Sequence, residues 1–161
     1  MYQTMKEKRF NIRVYGIVIN DRNELLVSDE MIRGLQFTKF PGGGLEWGEG
    51  IRECLEREFK EELNQPIQVG DHFYTTDYFQ QSAFLETDQL ISIYFKVALQ
   101  LPIQFEVKTK PFDFPDQLGN QMEVHRWVKL DELSENDFKW PVDKHVVAML
   151  KAIYSGDSSN K

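Results

Sequence analysis

A glycine-rich turn that runs directly into a glutamate-rich helix is the feature of this sequence that most restricts its fold. Residues 41–65 read PGGGLEWGEGIRECLEREFKEELNQ. From Ile51 to Leu63 the apolar residues recur at helical spacing, which predicts a helix with one buried face. Consecutive glycines give a backbone that can adopt positive φ and approach a ligand closely. We therefore expect a close-approaching turn packed beside an amphipathic helix.

This predicted helix concentrates negative charge on one face. Glu58 lies three residues before Glu61 and four before Glu62, so all three share a helix face. Like charges at such spacings destabilise a helix by about 0.2–0.5 kcal/mol per pair, and the helix dipole disfavours anions near the C-terminus. A hard divalent cation such as Mg²⁺ removes both penalties, because carboxylate and carbonyl oxygens are its preferred ligands. We interpret Glu53 and Glu56 as part of an ordinary solvated face.

The same segment resembles the Nudix box, G-x5-E-x7-R-E-U-x-E-E-x-G-U, in which U is a bulky aliphatic residue. The matching positions are Gly43, Glu49, Arg57, Glu58, Phe59, Glu61 and Glu62. The sequence departs from the box at Asn64 and Gln65, where the box has a glycine and an aliphatic residue. Asn is the second choice after Gly for the left-handed conformation that ends a helix, so the helix is still expected to end there.

The resemblance implies a Nudix-type pyrophosphohydrolase in which a divalent metal, Mg²⁺ or alternatively Mn²⁺, neutralises a diphosphate and activates water. The implied metal ligands are Glu58, Glu61, Glu62 and the carbonyl oxygen of Gly42. The implied catalytic group is Glu58, Glu61 and Arg57. Arg57 is expected to pair with Glu49 and so to orient the acids, a supporting role for both residues.

Four residues are assigned to the substrate. The backbone of Gly43 and Gly44 is expected to approach it, and Trp47 either stacks on a base or packs its own loop. Glu123 is the candidate for a further carboxylate outside the box, and Glu86 is the alternative.

Several other chemically capable residues are given ordinary roles. Cys54 lies on the apolar face of the helix and is expected in the core. Asp143 is expected to cap the last helix, with reading of a purine edge as the alternative. The three histidines do not cluster at a metal-binding spacing. We therefore interpret them, His72, His125 and His145, as structural or surface residues. Three aromatic residues could stack on a base: Tyr78, Phe79 and Trp140. Core packing is the commoner role for such residues.

The order of predicted elements favours an α/β fold. Phe10–Asn20 and Glu24–Ser28 are predicted as the two strands of a hairpin, and the last helix should run from about Asp143 to Tyr154. Further strands are predicted at Phe37–Phe40, Gly70–Gln80, Leu90–Gln100 and Glu123–Leu130. Mixed strands and helices, together with the resemblance, indicate a Nudix α/β/α sandwich with a mixed parallel and antiparallel β-sheet between helices. We expect one domain over residues 1–154 and a flexible tail over 155–161.

Bulk composition excludes several classes of partner. A net charge of −7 disfavours long nucleic acid, whose binding depends on basic residues. No apolar run approaches the roughly 18 residues of a membrane span, and the N-terminus lacks the apolar segment of a secretory signal. The single cysteine fits a cytoplasmic protein. The expected partner is a small nucleotide-like substrate, and dimers are frequent in the family, so a homodimer is also considered.

Rival functions and the choice of substrate stay open. A catalytically weak nucleotide sensor would have lost acids that are intact here, and a purely structural role leaves those acids unexplained. An isoprenoid diphosphate isomerase needs a catalytic cysteine, whereas Cys54 is expected to be buried. ADP-ribose is disfavoured because no proline lies between Pro66 and Pro102, and Tyr78 is not well placed for a dinucleoside polyphosphate. A nucleoside triphosphate, including an oxidised one, is the default substrate for a single small domain, and a nucleotide sugar is the alternative.

Overall fold

The computed structural model describes residues 6–116 and 119–156, which form eight strands and two long helices. In chain order the elements are β1 (Arg9–Ile17), β2 (Glu24–Ile32), β3 (Leu35–Lys39), β4 (Gly42–Gly44), α1 (Ile51–Leu63), β5 (Ile67–Thr75), β6 (Asp88–Leu99), β7 (Val107–Lys108), β8 (Gln121–Lys129), a one-turn 3-10 helix (Glu135–Asp137) and α2 (Pro141–Gly156). The predicted tail starts within the last turn of α2, and its residues 157–161 lie outside the described residues.

The strands form two four-stranded sheets with the orders β4-β1-β6-β5 and β3-β2-β8-β7. Each sheet is mixed: β1 pairs with β6 and β7 with β8 in parallel, and the other neighbours are antiparallel. The predicted α/β class with mixed sheets and flanking helices is confirmed. The single sheet of the prediction is divided into two.

The predicted hairpin between the first two strands is wrong. β1 and β2 belong to different sheets, and the ladder between their ends is reduced to one bridge between Ile19 and Leu25. β2 is buried continuously from Leu25 to Glu30, as expected for a strand covered on both faces. β2 pairs instead with β3, which follows it directly in the chain, and with β8, which comes from a distant part of the chain.

Two of the three consecutive glycines have a structural reason to be glycine. Within the predicted glycine-rich turn, Gly42–Gly44 form the short strand β4, which pairs with β1. Gly42 has a φ of +141°, and a Cβ there would lie 2.1 Å from the carbonyl oxygen of Val14. A Cβ on Gly43 would lie 2.4 Å from Oε1 of Glu58. The glycine run thus lets the backbone press against both β1 and α1.

The predicted helix at Ile51–Leu63 is confirmed, and the residues after it explain both departures from the box. Asn64 ends α1 in the left-handed conformation, with φ 49°. Gln65 is buried, and its side-chain amide donates to the carbonyl of Gln100 at 2.6 Å and accepts from the amide of Gln104 at 2.8 Å. Hydrogen bonds to the backbone replace the apolar contact that an aliphatic residue would make here.

Helix α2 begins two residues earlier than predicted, at Pro141. Proline is favoured at the first helical position because its missing N–H would have no partner there. Asp143 is therefore inside the first turn, and the predicted cap is wrong. Its carboxylate is buried and accepts a hydrogen bond from the hydroxyl of Tyr94 at 2.6 Å. In the part of the chain that the structure describes, no helix is long and apolar enough to cross a membrane.

Candidate active site

One face of the second sheet carries an unusual set of polar side chains. Residues paired across strands, and residues two apart along a strand, point to the same face. The ladders place Lys39 and His125 on either side of Ser28, and Glu123 beside Glu30. All five residues are at least half-buried, so this face forms a polar layer under helix α1 rather than a solvated surface.

Helix α1 adds Glu62 to this layer. Ligand atoms of Glu62, Glu123 and His125 all lie within 4.8 Å of one another. Nε2 of His125 lies 3.2 Å from Oε1 of Glu123, a hydrogen bond that orients the carboxylate. We call these three residues the carboxylate cluster. Glu123, the predicted carboxylate outside the box, is therefore next to a box glutamate, whereas Glu86 pairs with Lys6 at the surface.

The two carboxyl groups of the cluster titrate in opposite directions. Although Glu62 is exposed as a residue, its carboxyl head lies against the cluster, and this burial raises its pKa; Lys39 opposes the rise and Glu123 adds to it. Burial disfavours ionisation of Glu123 as well, but Lys39 and the hydrogen bond with His125 outweigh it and lower its pKa. The surroundings therefore favour the neutral form of Glu62 and the ionised form of Glu123.

Lys39 is a buried cation within this acidic layer. Its Nζ lies 3.2 Å from a carboxylate oxygen of Glu30 and 3.9 Å from one of Glu123. It also donates to the carbonyl oxygen of Gly42 at 3.2 Å. The ammonium group stands where positive charge is needed to balance buried carboxylates.

Arg57 joins the box loop to the helix, as predicted. Its Nε and Nη2 donate to the carboxylate of Glu49 at 2.8 and 2.6 Å, and Nη2 also donates to the Gly44 carbonyl at 2.9 Å. These bonds lower the pKa of Glu49 to about 2. Nη1 donates to Glu58 at 3.0 Å and to Glu61 at 3.2 Å, so one guanidinium group orients both glutamates.

The three box glutamates do not converge on one point. Glu58 is buried against Gly43, whereas Glu61 is 60% exposed and contacts Arg57 at the solvent edge. Glu62 belongs to the carboxylate cluster on the other side. α1 does present them on adjacent positions, as the spacing predicts, but the structure brings only Glu62 within ligand distance of a second acid and a histidine.

The side chains of this region suit a hard divalent cation. Carboxylate and carbonyl oxygens are the ligands that Mg²⁺ and Mn²⁺ prefer, and they are supplied by Glu58, Glu62, Glu123 and the Gly42 backbone. The hydroxyl of Ser28, buried beside Lys39 and His125 in the ladder, has no hydrogen-bond partner among the described residues. An unsatisfied buried hydroxyl is unusual, and it marks this layer as a place that a polar ligand or water would complete.

A cavity of about 350 Å³ opens next to the polar layer. Glu30 and Lys39 line it and also belong to the layer, so the two are continuous. Trp140, which also lines the cavity, packs against Phe37 and Phe84, with ring centroids 5.1 and 5.8 Å apart. The cavity therefore has both aromatic and charged side chains in its lining.

The family to which the chain belongs follows from its sequence profile. The NUDIX domain profile matches residues 9–150. The chain is a member of the NUDIX family. Its solved relatives in fold include the E. coli ORF135 protein (17% identity, 95% of this chain and 94% of that chain, TM-score 0.65). A UDP-X diphosphatase is also similar, with 20% identity, coverage of 96% of this chain and 68% of that chain, and a TM-score of 0.62. MutT of methicillin-resistant Staphylococcus aureus 252 has 25% identity, coverage of 90% of this chain and 98% of that chain, and a TM-score of 0.55.

Family membership confirms the predicted enzyme class, a Nudix-type pyrophosphohydrolase. The fold around the box is also similar to that of a MutT protein. The profile match covers a whole domain and assigns no role to a single side chain. The role of each side chain is therefore argued from the distances and contacts described above.

Three residues of this Nudix site escaped the sequence analysis. His125 was interpreted as structural or surface, yet its ring nitrogen lies beside Glu123; the spacing of two residues along a strand was the available signal. Lys39 precedes the glycine run by three residues and gave no signal by itself. Arg13 lines the cavity from β1 and became visible only through the sheet register.

Of the aromatic residues considered for base stacking, one lines the cavity and the others are exposed. Trp140 lines the cavity, whereas Tyr78 and Phe79 are exposed and do not line it. Trp47 is fully exposed on the box loop, so the loop-packing alternative is wrong. Its assignment to the substrate stays a prediction.

Asp143, at the floor of the cavity, gives the Nudix fold a pH-dependent weakness. Burial raises its pKa to about 7, so the stability that its neutral form contributes is complete below about pH 4 and is lost as the pH rises to about 7. Asparagine does not ionise, so Asp143→Asn should not share this loss. We expect the unfolding free energy of wild type to fall, relative to that of Asp143→Asn, by on the order of 2 kcal/mol between pH 5 and pH 8. Urea unfolding at both pH values measures this, with Asp21→Asn in an exposed turn as the control. Parallel pH profiles for wild type and Asp143→Asn would contradict it.

Proposed function

We propose that this Nudix enzyme is a Mg²⁺-dependent hydrolase, active also with Mn²⁺, that cleaves the diphosphate linkage of a nucleoside diphosphate derivative such as a nucleoside triphosphate or a nucleotide sugar. The observation that carries the proposal is the continuity of cavity and polar layer through Glu30 and Lys39. A ligand seated in the cavity would present its phosphates to the carboxylate cluster.

The proposed division of labour follows the contacts. Glu58, Glu62, Glu123 and the Gly42 carbonyl would hold the cation, with Glu61 as a further ligand at the solvent edge. When bound, the cation supplies positive charge to the diphosphate and makes water a better nucleophile.

Glu58 and Glu61 would orient the attacking water, and one of the two would accept its proton, because Arg57 fixes both carboxylates by hydrogen bonds. Gly43 and Gly44 would let the substrate approach the backbone, and Trp47 would cover the outer part of the ligand. Glu49 would keep Arg57 in place.

The shape of the cavity supports a nucleoside as the bound moiety. Its volume of about 350 Å³ lies in the range of small-molecule sites, and Trp140 and Phe84 offer faces to a planar base. Asp143 can hydrogen-bond a ring N–H at the floor, because Tyr94 occupies only one of its oxygens. The likeness in fold to a UDP-X diphosphatase and to a MutT is compatible with either substrate class.

Three further properties belong to the same proposal. The chain would act as a single domain over residues 1–154, as a cytoplasmic enzyme, and in a homodimer. A small nucleotide derivative, and not long nucleic acid, would be its partner, in keeping with the net charge of −7.

A substrate panel tests the proposal. Wild type and Glu61→Gln would be incubated with nucleoside triphosphates, nucleotide sugars, ADP-ribose and dinucleoside polyphosphates, each with Mg²⁺, with Mn²⁺ and with EDTA. We expect turnover of a nucleoside triphosphate or nucleotide sugar that requires metal and falls by at least about tenfold in the variant. Nucleotide binding without turnover of any compound would instead establish a sensor.

A further inference from the structure

Arg13 presents a guanidinium group to the cavity without an acidic partner. In residues 6–116 and 119–156, its only side-chain hydrogen bond runs from Nε to the hydroxyl of Tyr15 at 3.2 Å. No carboxylate oxygen in this part of the chain lies within 4.0 Å of its nitrogens, so Nη1 and Nη2 are free. This is unusual in a chain with 26 acidic residues.

The two nearest candidates for an ion pair are already engaged. Glu30 contacts Lys39 at 3.2 Å, and Glu58 accepts from Arg57 at 3.0 Å. Both acids still act on Arg13 electrostatically, but neither reaches it. The local carboxylates are thus distributed among other cations, and the Arg13 guanidinium is left for a ligand.

The position of Arg13 matches the boundary between cavity and acids. On β1 it pairs with Gly44 of β4 on one side and with Ser92 of β6 on the other. The guanidinium lies over Gly44, where an added Cβ would be in van der Waals contact with Nη1 at 3.5 Å. Gly43, the next residue, packs against Glu58. Arg13 lines the cavity together with Glu30, and the charges of both Glu58 and Glu30 act on its guanidinium, so Arg13 lies close to the cavity and to the box glutamates.

Guanidinium groups match phosphate in geometry and charge. Two parallel N–H groups can donate to two nonbridging oxygens, which is stronger and more directional than a lysine contact. A half-buried charge without a partner is also unfavourable in the free protein, so an anionic ligand would relieve it. The Tyr15 ring, 5.9 Å from Cζ of Arg13, limits the freedom of the side chain and holds it ready.

We propose that Arg13 binds the phosphoryl group that joins the cavity-bound nucleoside to the scissile diphosphate bond, with Nη1 and Nη2 donating to its nonbridging oxygens. This inference rests on the proposed function, since it takes the ligand to be a nucleoside diphosphate derivative. It assigns Arg13 to substrate affinity and not to the chemical step.

The test uses the fragment that all proposed substrates share, a nucleoside 5′-monophosphate. Binding of the four ribonucleoside monophosphates and of their parent nucleosides would be measured by NMR titration in EDTA, where no metal contributes. Arg13→Gln removes the charge, Arg13→Lys keeps it without the planar fork, and Arg22→Gln removes an exposed arginine at a distant turn as the control.

We expect Arg13→Gln to weaken binding of the best monophosphate by about 10- to 100-fold, the size of a charge-assisted hydrogen bond, and to leave nucleoside binding within about twofold. Arg13→Lys should recover part of the loss, and Arg22→Gln should match wild type. With the preferred substrate and metal, Arg13→Gln should raise KM by a similar factor while kcat changes by less than about threefold.

The outcomes separate this inference from the proposed function. Equal monophosphate affinity in wild type and Arg13→Gln, or a wild type that binds the monophosphate no more tightly than the nucleoside, overturns the role of Arg13 even if metal-dependent hydrolysis is found. Monophosphate binding that depends on Arg13, in an enzyme that hydrolyses nothing, supports the anchor and refutes the hydrolase. If Arg13→Gln does not fold, the monophosphate affinity of Arg13→Lys is compared with that of wild type. We then expect Arg13→Lys to bind the monophosphate about threefold or more weakly, and equal affinity would overturn the role of Arg13.

Discussion

Glu62→Gln is expected to lower kcat by about 100- to 1000-fold, whereas Glu56→Gln should leave it within about twofold. Glu62 lies within 4.8 Å of Glu123 and His125, so its loss removes one oxygen ligand from the proposed metal site. Glu56 is on the same helix but exposed and outside the cluster. Both variants replace a glutamate of the same helix with glutamine, so Glu56→Gln controls for the substitution itself.

The same pair of variants separates a metal ligand from a structural acid. Burial and Glu123 already hold Glu62 toward its neutral form, so a neutral glutamine should not destabilise the metal-free protein. In EDTA we expect the melting temperature of Glu62→Gln to equal or exceed that of wild type. Addition of Mg²⁺ should then raise the melting temperature of wild type and Glu56→Gln and fail to raise that of Glu62→Gln, since only a state that binds the ion is stabilised by it. A full Mg²⁺ response and normal kcat in Glu62→Gln would remove this residue from the site.

Local signals in the sequence were sufficient for the box and its helix. α1 has the predicted bounds because a helical period and a left-handed Asn64 are properties of neighbouring residues. The contact between Arg57 and Glu49 was implied by the resemblance to the box, and it is also local, because it connects a helix to the loop immediately before it. Even Glu123 could be nominated from the sequence, because it is the first residue of the strand predicted at Glu123–Leu130.

Contacts set by the register of paired strands could not be read in this way. Lys39 meets Glu30 only because β3 pairs with β2, and Arg13 lines the cavity only because β1 pairs with β4 and β6. The wrong hairpin has the same origin: turn chemistry at residues 21–23 is compatible with strands that pair and with strands that separate into two sheets. Asp143 was misplaced because Pro141, a good first residue for a helix, moved the start of α2.

Gly43→Ala should abolish most of the activity, by about 100-fold or more, while the protein still folds. The new Cβ would lie 2.4 Å from Oε1 of Glu58, far closer than any real contact, so the carboxylate must move. Its displacement would break the 3.0 Å hydrogen bond from Arg57. Overpacking of this kind costs about 1–3 kcal/mol of stability, and less when a side-chain end can rotate away. Gly50→Ala is the matched control, because the nearest atom to its Cβ is 3.7 Å away.

A double-mutant cycle decides whether this loss acts through Glu58. If the methyl group harms catalysis only by moving that carboxylate, Gly43→Ala should lower kcat in the wild-type background and have almost no further effect in the Glu58→Ala background. Removal of the Glu58 carboxyl also removes the steric conflict, so the double variant should regain the stability that Gly43→Ala alone loses. Two losses that multiply would show instead that Gly43 serves the substrate directly, through its backbone, and that the first glycine of the box has a role separate from the placement of Glu58.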